Sequence, residues 1–309
     1  MDAPHSSPRA KIVLAFVLLY IVWGATYLGI RLCIREVPPF MFAGSRNLLA
    51  GLLTLAGAFL WKAPKPNARQ ILNAWAMGLF LFLGGNGGVA WGEQYVSTGV
   101  TSLLLGTTPF WMVFLHRLFH EGGPMRKSAW AGMALGFIGV AVLADPFSVS
   151  DDSQLDLMGC LVVLLSAVSW SFGSIWGRGR DLPSSPFVSM GIQMAGGGLG
   201  LLTVSVLSGE GTRFHWTNIT TTGVTSFTYL VLFGSIAGFT AFYYVLQRKP
   251  PHVVSSYAYV NPIVAVFLGA YFLNESLGPR TILSTVFIVG GVALMLWSNR
   301  DWEKPGEAG

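Results

Sequence analysis

Charge is scarce in this 309-residue chain: charged residues make up 11% of it, against about 25% in an ordinary soluble domain. A chain so short of charge cannot clothe a water-facing surface, which excludes a soluble globular fold. Two cysteines, Cys33 and Cys160, are too few for a disulfide framework and make no metal-ligand pattern. They read as small apolar residues, with a bond between them left open. No GxxxxGK[ST] occurs, and neither Gly84-Gly85-Asn86-Gly87-Gly88 nor Gly177-Arg178-Gly179 makes a phosphate loop, so nucleotide-driven work by this chain alone is not expected. No motif asks for a cofactor. The net charge of +5 has no basic patch interleaved with aromatics behind it, which excludes a nucleic-acid partner. A membrane-embedded transferase would need an Asp/His cluster at one interface. The acid-rich stretch Asp145, Asp151, Asp152 and Asp156 has no matching histidines.

What the chain has is apolar length. Hydrophobic residues make up 52% and the mean hydropathy is +0.57. A spanning helix needs about 20 largely apolar residues. Ten segments qualify: Ile12–Ile30, Pro39–Trp61, Ile71–Gly92, Thr98–Phe119, Ser128–Ala144, Leu157–Gly177, Phe187–Leu207, Gly223–Leu246, Val253–Leu273 and Thr281–Trp297. The expected fold is therefore an all-α integral membrane protein of ten transmembrane helices. The first apolar stretch is long and lacks an A-x-A site, so it reads as a retained anchor.

The second half repeats the first. Trp23 and Arg31 recur as Trp170 and Arg178; Pro39-Phe40 with Arg46 recurs as Pro186-Phe187 with Gln193. Gly84 and Gly88 match Gly234 and Gly238, and Pro109, Glu121 and Pro124 match Pro262, Glu275 and Pro279. Five spans per half is an odd number, so the two five-helix repeats must be inverted, an arrangement common in alternating-access transporters. Charge supports this orientation. With the N-terminus inside, the inner segments hold 14 of 19 basic residues, from Arg9 and Lys11 through Arg117, Arg126 and Lys127 to Arg300 and Lys304. Both termini are expected to be cytoplasmic. The divisions are a tail 1–11, repeat one 12–145, an acidic outer loop 146–156, repeat two 157–298 and a tail 299–309.

Ionisable and polar residues within spans are costly and are the default site candidates. Arg46 lies seven residues beyond Pro39, about 10 Å into its helix at 1.5 Å per residue. It either snorkels to the outer interface or offers a fixed positive charge, and its mate Gln193 is neutral. Glu93, in Trp91-Gly92-Glu93-Gln94-Tyr95, is its natural partner, as an ion pair, an exposed end cap or a proton-coupling group. Glu121 and Glu275 each precede a proline that opens the next helix and read as structural. Ser255, Tyr259 and Pro262 share one helical face, with Tyr257 and Asn261 beside them. Pro109 and Pro262 each free a backbone carbonyl at matching positions. Trp23 and Trp170 fall mid-span, as cavity walls or core. Gly84, Gly88, Gly234 and Gly238 form smooth faces for packing that also permit movement.

These residues resemble a known family. Trp23-Gly24-Ala25-Thr26-Tyr27, the Pro39-to-Arg46 helix, Gly84-Gly85-Asn86-Gly87 with Glu93, and Ser256-Tyr257-Ala258-Tyr259-Val260-Asn261-Pro262 are similar to the drug/metabolite transporter superfamily, in its EamA (drug/metabolite exporter) branch and YedA-like inner-membrane members. The resemblance implies a multi-pass protein of the cell inner membrane with a central cavity between two inverted EamA repeats. It also implies secondary active export of a small-molecule metabolite or amino acid by alternating access. The expected polar anchors are Arg46, Asn86, Glu93, Gln94, Gln193 and Ser255, and the walls are Trp23, Tyr27, Trp91, Trp170, Tyr257, Tyr259 and Asn261. A lipid-linked sugar or other amphiphile flippase is the alternative within transport; an enzyme or a non-transporting scaffold stands further off. The partners implied are the substrate, the lipid bilayer and, through Glu93, a proton; monomer and homodimer both stay open.

Overall fold

The computed structural model of the protein describes residues 8–119, 127–144, 156–246, 248–249, 254, 257–275 and 277–298. Glu121, Pro124, Ser255, most of the acidic stretch (Asp145, Asp151, Asp152) and the C-terminal Arg300 and Lys304 lie outside them, and of Tyr259 only the backbone is described. Among the described residues there is helix and no strand. The helices are α1 (Arg9–Ile34), α2 (Pro39–Leu60), α3 (Ala68–Gly78, Leu79–Gly87 and Gly88–Gly92 in succession), α4 (Thr98–Phe119), α5 (Lys127–Ala144), α6 (Leu157–Gly179), α7 (Pro186–Leu207), α8 (Thr221–Leu246), α9 (Tyr257–Leu273) and α10 (Pro279–Ser298). Six of them, α1, α2, α4, α6, α7 and α8, are long and apolar enough to cross a membrane. Apolar stretches in α5 and α9 are shorter, Trp130–Gly139 and Val260–Leu273.

The distribution of polarity suits a bilayer. Leu60 and Leu207 are 80% and 81% exposed, while Asn47, Ser171, Ser189 and Ser235 are fully buried. Apolar side chains face outward and small polar ones inward, which satisfies the rule that polar groups in lipid must find partners inside the bundle. Many of those hydroxyls bond a carbonyl one turn back on their own helix, as Thr54 does to Ala50 O at 2.7 Å and Ser174 to Trp170 O at 2.8 Å.

Two sequence-matched pairs, α2 with α7 and α5 with α10, lie against each other and run antiparallel. Along α2 and α7, Gly44 faces Leu202, Gly51 faces Ala195, Gly198 faces Leu48 and Gly191 faces Leu55, so rising numbers on one helix meet falling numbers on the other. In α5 and α10, Gly136 meets Gly291 and Gly139 meets Ile288 in the same sense. Glycine at these positions lets backbones touch. Elsewhere α1 packs on α8 and α9 and α6 packs on α3 and α4, while α7 also packs on α3, α2 on α8 and α9 on α4.

Three winding changes break the regularity. Leu19–Trp23 in α1, Leu79–Gly87 in α3 and Leu230–Ala237 in α8 are π-helical. Those of α3 and α8 occupy matching places in the two halves, whereas α6, the mate of α1, is α-helical over Leu157–Trp176. Proline acts differently at its two matching sites. Pro109 follows a break at Gly106-Thr107 in α4, while Pro262 sits inside α9.

Carboxylates tie the bundle at the end away from the start of α1, here called the far end. Proline at 38 and 39 removes two N–H groups at the start of α2; the next two, Phe40 N and Met41 N, donate to Glu210 at 3.2 and 2.7 Å. Glu36 accepts from Thr220 N and Thr220 Oγ1 at the start of α8. Glu275 accepts from Thr98 N, Thr98 Oγ1 and Gly99 N at 3.0, 2.6 and 3.3 Å, opening α4. Its structural role is therefore to cap a helix of the other half, not α10, which follows it. Negative charge at a helix N-terminus and charge-assisted bonds both stabilise. Glu275→Ala is expected to cost about 2 kcal/mol, read as a lower melting temperature of the purified protein. An unchanged melting temperature would show that the cap contributes nothing.

Candidate functional site

A cavity of about 100 Å³ lies where α1, α2, α3, α4, α6, α8 and α9 converge. By this measure one water needs roughly 10–15 Å³, so the space holds several waters or a small solute. Its floor is aromatic. Trp23 stands edge-on to Trp170 at 5.9 Å between centroids, to Phe239 at 5.3 Å and to Tyr257 at 5.1 Å. Trp23 Nε1 donates to Gly234 O at 3.1 Å, which fixes the indole between the two halves. Gly238 carries no side chain, and a Cβ there would strike that same nitrogen.

The polar part of the lining comes from several helices. Asn86 Nδ2 donates to Asn47 Oδ1 at 3.4 Å, and Asn47 Nδ2 to Ala43 O at 2.9 Å. Asn261 lies on α9 one residue before Pro262. With its amide oriented to donate, it meets Leu19 O, Tyr20 O and Tyr257 O at 3.3, 3.1 and 3.2 Å. The first two carbonyls belong to the π-helical turn of α1, whose wider winding leaves such groups in need of a donor.

Arg46 provides the charge. Its side chain is 5% exposed, and Nε donates to Ser235 Oγ on α8 at 3.0 Å. It has turned inward and does not snorkel. The missing side chain of Gly234 makes the room: a Cβ there would lie 3.2 Å from Nη2. Glu93 closes α3 one turn beyond the lining residue Val89. It is fully buried, and neither carboxylate oxygen has a hydrogen-bond partner. Arg31, Glu275 and Arg46 are the charges that act on it. Of the readings open for Glu93, the ion pair with Arg46 is not formed, Arg46 bonding Ser235, and full burial rules out the exposed end cap.

Against this geometry the comparison with known proteins is decisive. The profile of the EamA-like transporter family matches residues 10–144 and again 157–297. The chain belongs to the EamA-like transporter family. It is 36% identical over 283 residues to the uncharacterized inner membrane transporter YedA of Escherichia coli (strain K12), covering 91% of this chain and 89% of that one. It is 26% identical to the WAT1-related protein At3g02690, chloroplastic, of Arabidopsis thaliana, over 89% of this chain and 67% of that one. A crystal structure with 17% sequence identity superposes at a TM-score of 0.65 over 96% of this chain and all of that one, a likeness of fold alone. The YedA relationship and the apolar helices place this EamA protein in the inner membrane.

The EamA cavity gathers Trp23, Tyr27, Arg46, Asn86, Trp170, Tyr257 and Asn261, with Gly234 and Pro262 in its wall. Four other expected residues stand apart. Glu93 lies behind the lining. Trp91 packs at a tilt against Tyr95, 4.6 Å between centroids, and the exposed Gln94 donates to Trp91 O, because α3 ends at Gly92 and the chain turns onto the far surface. Gln193 is buried and donates back to Ser189 Oγ on its own helix at 2.9 Å, beside Gly78 of α3. Gly84 and Gly88 admit Ser169 and Ser166 of α6, and Pro109 is buried at the α4 break beside the lining residue Thr108. Cys33 and Cys160 are both free and buried. Sequence reasoning missed Ser102, Thr108, Ser235 and Phe239. The hydroxyls gave no signal, since buried Ser and Thr in helices mostly bond their own backbone, and Phe239 is one of 21 phenylalanines.

Proposed function

We propose that the protein is a secondary active transporter that exports small metabolites across the inner membrane by alternating access to the central cavity. The observation that carries this is the cavity itself: a buried Arg46, amides and hydroxyls above an aromatic floor, drawn from both halves of a duplicated bundle. Antiparallel packing of the matched pairs α2/α7 and α5/α10 supports two inverted five-helix repeats. In such a fold, exchange of the two halves' conformations about a pseudo-two-fold axis turns access from one side into access from the other. The groups {α1, α8, α9} and {α6, α3, α4} are the bodies that would rock, with the tryptophans Trp23 and Trp170 facing each other between them.

Reconstitution into proteoliposomes with a panel of labelled small metabolites tests the reading. Saturable flux of at least one solute supports it; a folded, inserted protein that carries none of a broad panel, with or without a pH gradient, removes it.

Glu93 is the group through which a proton would couple. Burying an ionised carboxylate without a hydrogen bond costs several kcal/mol, so the acid holds its proton in the conformation described here. It would release that proton when movement brings it to water or to Arg46 or Arg31. Glu93→Gln is expected to leave exchange without a gradient intact and to cut pH-driven accumulation about tenfold. Accumulation by Glu93→Gln that still tracks the imposed gradient would take Glu93 out of the coupling.

A further inference from the structure

We infer that the cavity selects a small organic monoanion with a flat apolar body and discriminates against the same body carrying an ammonium group. The inference rests on the transport reading above and names the substrate class of that site.

Charge is the first argument. Among the described lining residues Arg46 is the one that carries a permanent charge, and none is a carboxylate. Its hydrogen bond goes to a neutral hydroxyl, Ser235 Oγ at 3.0 Å, and its side chain is 5% exposed. A guanidinium stays charged in a protein interior and keeps five donors in a planar fork. Nε is used by Ser235, which leaves the two terminal nitrogens to meet a carboxylate in parallel, the geometry in which arginine binds anions best. Glu93 does not fill that role. It lies one turn behind the lining, its oxygens bond nothing, and in its protonated form it adds no negative charge to the cavity. The core thus holds one uncompensated positive charge, and an anionic solute is what balances it.

The second argument is the floor. Trp23, Trp170, Tyr257 and Phe239 present faces and edges, and edge-on packing of Trp23 against Tyr257 at 5.1 Å shows the geometry a further ring would continue. The polar wall supplies the third. Asn86 and Asn261 are already engaged, to Asn47 and to backbone carbonyls of α1 respectively. Ser102 and Thr108 bond Gly99 O and Leu105 O on their own helix. These groups are engaged as donors, so an ammonium entering this space would find neutral acceptor oxygens with no carboxylate among them, and a guanidinium that repels it. Specificity here is built from a repulsive element as much as an attractive one.

Three probes share one body and separate the charges: 3-phenylpropionate (carboxylate alone), phenylalanine (carboxylate and ammonium) and phenethylamine (ammonium alone). Isothermal titration calorimetry on the purified full-length protein is expected to rank 3-phenylpropionate at least tenfold tighter than phenylalanine, with phenethylamine weakest. Arg46→Gln is expected to weaken 3-phenylpropionate at least tenfold and, with the repulsion removed, to tighten phenethylamine, with Arg46→Lys between for 3-phenylpropionate. Equal or tighter binding of phenylalanine or phenethylamine overturns the inference, as does undiminished 3-phenylpropionate binding by a folded Arg46→Gln, or no binding of any probe. Should Arg46→Gln fail to fold, the three-probe ranking on the unaltered protein decides alone. Flux assays with the same probes separate the two readings. Selective binding of 3-phenylpropionate without flux keeps the anion class and removes transport; flux of phenethylamine keeps transport and overturns the anion class.

Discussion

Arg46→Ala lowers flux of the transported solute about 100-fold while leaving the protein as stable as before, or more so. The flux loss follows from what the terminal guanidinium nitrogens offer: two charge-assisted bonds at about 1.5–3 kcal/mol each, of which loss of one to two accounts for two orders of magnitude at about 1.4 kcal/mol per tenfold. The stability arm follows from the same geometry read the other way. Arg46 is buried with a hydroxyl as its partner, so folding strips water from a cation and returns one bond to Ser235. Removing a poorly compensated buried charge is often neutral or stabilising. A residue kept for packing would behave in the opposite way, losing stability first and transport as a consequence. Flux by reconstituted protein and thermal unfolding of the same preparation check both arms. A destabilised variant, or a stable one with full flux, would show that the cation serves the fold or serves nothing. Ser235→Ala is a softer case, since it leaves the charge but frees its orientation, and a loss of a few-fold is expected.

Arg46 was legible in the sequence because a cation two turns into an apolar segment has few reasons to be there. Trp23 and Trp170 were legible through their shared offset, and the structure brings their rings within 5.9 Å. What the sequence could not tell was how neighbours on one turn divide. Glu93 and Gln94 are adjacent, yet one is fully buried and the other exposed, because α3 stops at Gly92 and the direction of the turn is set by packing of Tyr95 against Gly159 of α6. Gln193 was expected beside the cavity as the mate of Arg46. Its backbone lies against Gly78 of α3 and its side chain bonds Ser189 one turn back, whereas Arg46 reaches Ser235 on another helix. The capping carboxylates show the same limit. An acid before a proline announces a helix start, but Glu275 caps α4, 177 residues away in sequence. The π-helical turns left no trace at all, since winding depends on which neighbour presses on the backbone.

Gly198→Val, and equally Gly51→Val, abolish the folded protein. A Cβ at Gly198 would stand 2.5 Å from Leu48 N, and one at Gly51 2.5 Å from Ala195 N. These are backbone atoms of the facing helix, so no side chain can swing aside, and α2 and α7 must separate along their shared length. Overpacking a close-packed interface costs about 1–3 kcal/mol and more where the backbone itself must move. Because the small residues recur on both helices, at Gly44, Gly51, Gly191 and Gly198, one displaced contact loosens its neighbours. The total approaches the marginal stability of most proteins. Gly57 is the internal control: it lies on the same α2, a Cβ there meets nothing within 4 Å, and Gly57→Val should elute from gel filtration as the unaltered protein does. If Gly198→Val eluted so too, the α2/α7 contact would not be the close seam described here. The milder Gly198→Ala tests what the seam is for. Because α2 also touches α8 and α7 also touches α3, this pair joins the two bodies proposed to rock. A variant that still folds and still binds solute but exchanges it more slowly would mark α2/α7 as the axis of that motion. Slowed binding with unchanged turnover would mark it as scaffold alone.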